Sequence, residues 1–186
     1  IKYLREMKAE ATATDNKGQM PLHYAIKTGH NAGVVATLCD SANVNNFDHQ
    51  RQSALHFAAH RGAYNVAMVL IKCNADANAK DLHVKSPLQV AIEEQHESVV
   101  QLLLERGANV GDDELSAARQ LGDESISELI DQAHDEQEKL RTLIINPATE
   151  TVDWQSKLQI LDELGSERVA FYKVNTSFLK LSNTHF

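Results

Sequence analysis

Two histidines, His56 and His60, stand four positions apart in the stretch SALHFAAH, a spacing that puts two imidazoles on one helix face and could ligate a metal ion. A metal site needs more ligands than these two, and the glutamate that follows the first histidine in a zinc metalloprotease helix is Phe57 here. The chain contains no HExxH, no GxSxG and no Gly-rich phosphate loop. Its two cysteines, Cys39 and Cys73, are too few for a four-Cys zinc site and too far apart for CxxC redox chemistry. Both fall near the C-terminal ends of expected helices, the wrong end to stabilise a thiolate. Neither reads as a nucleophile. The expectation is a chain with no enzyme activity, no cofactor and no metal, whose nine histidines give it a pH-dependent surface charge.

The elements that carry these residues repeat. MPLHYA (20–25), SALHFA (53–58) and SPLQVA (86–91) are spaced by 33 residues, and Ala42, Ala75 and Ala108, Asp15, Asp48 and Asp81, and Asn45 and Asn78 keep the same register. A fixed period of this length means a stack of similar supersecondary units, none of which can bury its own apolar face alone. Within one unit, Ser53 can cap a short helix whose Leu55, Ala58 and Ala59 form a small apolar face. Pro21 and Pro87 sit where a first-turn proline is tolerated, and Gly29 and Gly62 allow the positive φ that ends the short helix. A longer helix then turns Val66, Val69, Leu70 and Ile71 inward. Turns are expected near 15–19, 48–52 and 81–85.

The 33-residue period and the TPLHxA-like core resemble the ankyrin-repeat family over residues 1 to about 140. The resemblance implies an all-α ankyrin-repeat solenoid of helix-turn-helix units with short hairpin-like loops. Residues 1–142 would be the array, made of a partial repeat 1–14, full repeats 15–47, 48–80 and 81–113, and a divergent cap 114–142. A chain that begins mid-repeat at Ile1 is expected to be a piece of a longer protein. Departures from the motif are specific. Met20 removes the hydroxyl partner of His23, Gln89 stands where the motif has His, and Gln95 occupies the Gly29/Gly62 position, which implies backbone strain or an altered turn. In the cap, Leu115, Ala117, Ala118 and Gly122 come about six residues early, so the preceding hairpin is expected to be short.

Residues 143–186 form a C-terminal segment, expected to be helical after the Asn146-Pro147 break and either to pack back on the last repeat or to begin a further domain, with a partner-binding amphipathic helix as the alternative. Trp154, Leu158, Leu161 and Leu164 have helical spacing, and half of the aromatic residues lie in this stretch. Charge is just as uneven. The formal net charge is −8, and residues 112–140 hold ten acids against Arg119 and Lys139, which reads as a solvated face or as a dock for a basic partner. A sequence pI near 5.5 disfavours nucleic acid and anionic membranes, which need clustered Lys and Arg. No apolar run is long enough to span a bilayer. The cysteine usage suggests a reducing, cytoplasmic location.

What the resemblance implies is a monomeric protein-binding module whose partner lies on a concave face and the turn tips. The alternative is a targeting or regulatory arm of a larger enzyme or of a host-directed bacterial effector. The matching contact positions are Asn16, Lys17, Gln19 and Lys27, then Phe47, His49, Gln50, Gln52 and His60, then Lys80, Leu82, His83, Lys85 and Glu93. Phe47 and Leu82 stand out as apolar residues at expected exposed tips. The resemblance also implies Asn78 as a substrate for asparaginyl hydroxylation, with Asp76 two residues before it and Leu70 eight before. Asn45, preceded by Asn43 and Thr37, fits less well.

Overall fold

Each 33-residue unit folds into a turn, a short helix and a longer helix. The computed structural model describes residues 12–40 and 43–145, with side chains described as far as Lys139. Eight α-helices follow in order: α1 (Pro21–Lys27), α2 (Ala32–Leu38), α3 (Ala54–His60), α4 (Tyr64–Lys72), α5 (Pro87–Glu93), α6 (Glu97–Glu105), α7 (Asp112–Leu121) and α8 (Glu124–Ile145). The odd-numbered helices stack on one another in one layer and the even-numbered helices in a second, each pair crossing between layers. This is an all-α solenoid. Among the described residues the extended pairing is one isolated antiparallel bridge, Phe47 with Ser53, at the foot of a turn.

The core runs the length of the stack. Leu22, Leu55 and Leu88 at the repeated motif position are fully buried, as are Leu70 and Leu103 from the long helices. Alanines at 54, 58, 59 and 91 keep the short helices close, because a larger side chain would push the layers apart. Ile126 and Ile130 extend the core into α8. The short helices each run 7 residues and could not persist alone in water; stacking supplies their stability.

The three turns are built alike. Asp15 Oδ1 accepts the N–H groups of Lys17 and Gln19, Asp48 Oδ1 those of Gln50 and Gln52, and Asp81 Oδ1 those of His83 and Lys85, all at 2.8–2.9 Å. The fourth turn residue takes a left-handed conformation: Gly18 at φ 73°, Arg51 at 56° and Val84 at 62°. For the β-branched Val84 this is a genuine strain. Gln95 at φ 59° adopts the same region as Gly29 and Gly62, so the substitution is absorbed as strain and the turn is unaltered.

The fourth unit departs from the other three. Its short helix α7 starts directly after Gly111, without an Asp-centred turn, and has 10 residues where the others have 7. Helix α8 is 22 residues long and runs through the expected boundary at 142 to Ile145. Its buried Gln137 reaches the segment that replaces the turn: Oε1 accepts the Val110 N–H and Nε2 donates to the Ala108 carbonyl, both at 2.9 Å. The partial repeat at 1–11 and the C-terminal segment from 146, with its Trp154 helix, lie outside the described residues.

Candidate functional site

Successive repeats are joined through three layers of polar contacts, and the free surface is what these joints leave over. At the turn tips, His49 N–H donates to the Lys17 carbonyl at 2.9 Å and Leu82 N–H to the Gln50 carbonyl at 3.0 Å, a ladder running from turn to turn. Below it lie the motif histidines. His56 Nδ1 accepts from the Ser53 hydroxyl at 2.8 Å and from the Ser53 N–H at 3.1 Å, which leaves Nε2 to donate to the Lys85 carbonyl of the next repeat at 3.0 Å. His23 Nε2 also reaches the next repeat, but at the Asn46 carbonyl that precedes the turn, at 3.2 Å, where His56 meets the residue that closes it. With Met20 in place of a hydroxyl residue, His23 Nδ1 keeps the backbone N–H of Met20 as donor. Burial pushes both imidazoles below their ordinary pKa and keeps them neutral. His56 therefore spends both ring nitrogens within the array and has no lone pair for a metal, while His60 is exposed beside Glu94 at 3.4 Å.

The third layer consists of asparagines. Asn45 Oδ1 accepts the Asp76 N–H at 2.8 Å and its Nδ2 donates to the Asn74 carbonyl at 3.0 Å. Asn78 Oδ1 accepts the Asn109 N–H at 2.8 Å.

At the junction of the third and fourth units the chemistry changes. Gln89, at the histidine position, turns sideways to Glu93 on its own helix. The link is made in the opposite direction by Glu114, at the corresponding helix position of α7. Glu114 Oε1 accepts from the Ser86 hydroxyl at 2.7 Å and from Lys80 Nζ at 3.2 Å, and Oε2 accepts the Gly111 N–H at 3.1 Å. Burial raises this carboxyl, but the Ser86 hydroxyl, Lys80 and the Gly111 N–H together outweigh it and hold the group below its ordinary pKa. A cleft of about 200 Å³ opens here, lined by Asn78, Lys80, Ser86, Asn109, Gly111 and Glu114 among others.

The expected contact residues fall into three groups. Asn16, Lys17, His49, Gln50, Leu82 and His83 line the edge formed by the turns and are exposed. Lys27, His60 and Glu93 are exposed at matching places on the short helices; Lys85, half-buried, pairs with Glu93. Gln52 and Lys80 are half-buried, Lys80 being held by Glu114. Phe47 is 41% exposed with the Arg51 guanidinium 5.5 Å over its ring. Gln19 differs from the expectation of a surface position: it is buried at 8% exposure, and its side chain donates to Asp48 Oδ2 because it sits beneath the next turn rather than at a tip.

Sequence reasoning missed three positions. Val84 is 62% exposed at a tip and Tyr24 is 59% exposed on α1. Tyr24 occupies the variable place between the motif His and Ala, and the 33-residue register could have pointed to it. Glu114 went unnoticed because the register slips before it. Cys39 is buried and Cys73 half-buried; burial and the neighbouring Cys73 thiol push the Cys39 thiol far up, away from nucleophilic chemistry.

A two-layer stack of helix pairs, tied by Asp-centred turns and by histidines reaching the next repeat's backbone, defines a repeat-array binding scaffold. A family model for ankyrin repeats (3 copies) matches residues 1–81 and 48–114, and the chain belongs to the ankyrin-repeat family. It is similar to human transient receptor potential cation channel subfamily A member 1, at 35% identity over 108 residues, covering 56% of this chain and 10% of that protein. It is also similar to mouse inversin, at 33% identity over 90 residues, covering 48% of this chain and 8% of that protein. The chain thus spans about a tenth of the length of these relatives. Among the described residues, no helix is long and apolar enough to cross a membrane.

Proposed function

We propose that this chain binds a partner protein along the edge formed by its turns and the adjoining exposed face of its short helices, acting as a monomer. Ankyrin repeats are in general protein interaction modules, and one observation carries the finer reading. Leu82 and Val84 expose apolar side chains from a hydrogen-bonded turn, and Phe47, at the foot of the preceding turn, exposes part of its ring beside the Arg51 guanidinium. Rigid apolar anchors bind with little ordering cost. The test is capture by the full chain from a lysate of its source, followed by titration of the identified partner. Phe47→Ala with Leu82→Ala should weaken that partner at least tenfold with an unchanged urea midpoint; unchanged affinity would overturn the assignment.

The coverage of the relatives favours a second reading at the level of the whole protein. Matching regions are a small part of much longer chains, which supports a role as the regulatory or targeting arm of a larger protein, an enzyme or effector included. The complete coding sequence tests this directly. A reducing, cytoplasmic setting belongs to both readings and rests on the two free thiols. Asn78 remains the better candidate of the two for asparaginyl hydroxylation, since its side chain makes one inter-repeat bond where Asn45 makes two. Added oxygen on the Asn45 peptide in preference to the Asn78 peptide, read by mass spectrometry after incubation with an asparaginyl oxygenase, would reject this order.

A further inference from the structure

The ladder of turn tips stops with its last acceptor unused. Lys17 and Gln50 carbonyls each accept an N–H from the following turn, and the next acceptor in that series, 33 residues on, is the His83 carbonyl. Its donor would be residue 115. Leu115 instead lies in α7, where its N–H is spent on the Gly111 carbonyl at 3.1 Å. Among the described residues no donor reaches His83 O. Where the fourth turn is missing, a cleft opens beside Asn78, Lys80, Asp113 and Glu114, and Leu82 and Val84, the chain neighbours of His83, are exposed.

Charge at this place is unbalanced. Lys80 is taken by Glu114 and Lys85 by Glu93, while Asp112 and Asp113 are exposed at the start of α7 with no cationic partner among the described residues. The long acidic helix α8 packs directly on α7.

We infer that this notch takes an extended peptide segment of alternating basic and apolar residues, which donates a backbone N–H to the His83 carbonyl, lays an apolar side chain on Leu82 and Val84, and sets a cation against Asp112 and Asp113. The segment continues the ladder as the absent fourth turn would have done, the way an extended strand adds to an unpaired edge. This rests on the reading of the chain as a protein-binding module and names the chemistry of one segment it binds.

The test is carbonyl-detected NMR on the full chain, titrated with acetyl-Arg-Leu-Arg-Leu-Arg-amide. Saturable shifts of the His83 carbonyl and of the Leu82 and Val84 amides are expected. The same peptide N-methylated at alternate amides, and acetyl-Glu-Leu-Glu-Leu-Glu-amide, should each bind at least tenfold more weakly. Copying the six residues Ala79–Val84 between Gly111 and Asp112 restores the 33-residue period and should abolish the shifts; the N-methylated peptide keeps the test on the unaltered chain. Shifts confined to α8, equal binding of the N-methylated or the acidic peptide, or self-association through His83 in the absence of peptide would overturn the inference. Loss of peptide binding at the notch while Phe47→Ala/Leu82→Ala still abolishes partner capture would sink the notch alone, and the converse would sink the wider binding surface alone.

Discussion

The joints between the first three repeats and the joint before the fourth perform one task with different chemistry. At the earlier joints a buried neutral imidazole reaches forward to a backbone carbonyl flanking or closing the next turn, and the turn tips bond to one another. At the later joint there is no turn to reach, so Gln89 folds back on its own helix and a buried carboxylate reaches backward to a serine and a lysine. The difference teaches that the motif histidine is useful only while a turn follows it. A donor aimed at a missing carbonyl would be a buried unsatisfied group, whereas a glutamate in the next unit finds its donors in the repeat already there.

The strongest way to break this comparison is to remove the forward link where it exists and where it does not. His56→Ala leaves the Ser53 N–H and the Lys85 carbonyl unpaired in a buried setting and should cost about 3 kcal/mol. Gln89→Ala, at the matching position of the next repeat, should cost about 0.5 kcal/mol. Urea midpoints with unchanged m values measure both, and equal losses would refute the distinction.

Next in size is the backward link. Glu114→Gln keeps the volume but weakens the contacts with Lys80 and Ser86, and should cost about 1–2 kcal/mol. The half-exposed Lys80 limits the value. A double-mutant cycle with Lys80→Met should return a coupling of about 1 kcal/mol, and zero coupling would show that Ser86 and Gly111 carry the joint.

Acid should separate the two kinds of joint. His23 and His56 are held below their ordinary value of 6.5, so the unfolded chain takes up protons that the folded chain refuses as the pH falls past 6.5. Their share of stability is complete above that pH and drains below it. Glu114 is held below its ordinary 4.5, so its share is complete above 4.5 and drains as the pH falls further. Urea midpoints taken from pH 8 to pH 3 should fall in two stages, with His56→Gln softening the upper stage and Glu114→Gln the lower. A single stage untouched by either variant would contradict this.

The smallest expected effect concerns strain. Gln95→Gly places a residue free of Cβ at φ 59° and should stabilise the chain by about 0.5–1 kcal/mol, after allowing for the added freedom of glycine when unfolded. A thermal scan measures it, and a lowered melting temperature would mean that the Gln95 side chain compensates for its backbone.

The sequence by itself determined the period, the order of short and long helices, the turn positions and the buried leucine and alanine faces. These follow from local signals, such as a capping serine, a first-turn proline, a glycine at positive φ and apolar spacing, copied every 33 residues, and the copying makes each signal confirm the others. It also flagged the shortened fourth unit and the unusual Gln89 and Gln95. Only the tertiary structure decided which polar groups meet. Gln19 proved buried because the next turn lies over it, Glu114 became the link because Ser86 and Lys80 are stacked beside it, and the His83 carbonyl was left open because Leu115 had entered a helix. The first two depend on residues about 30 positions apart brought within 3.5 Å by stacking, and no local pattern encodes the partner a polar side chain will find, or lose, across that gap.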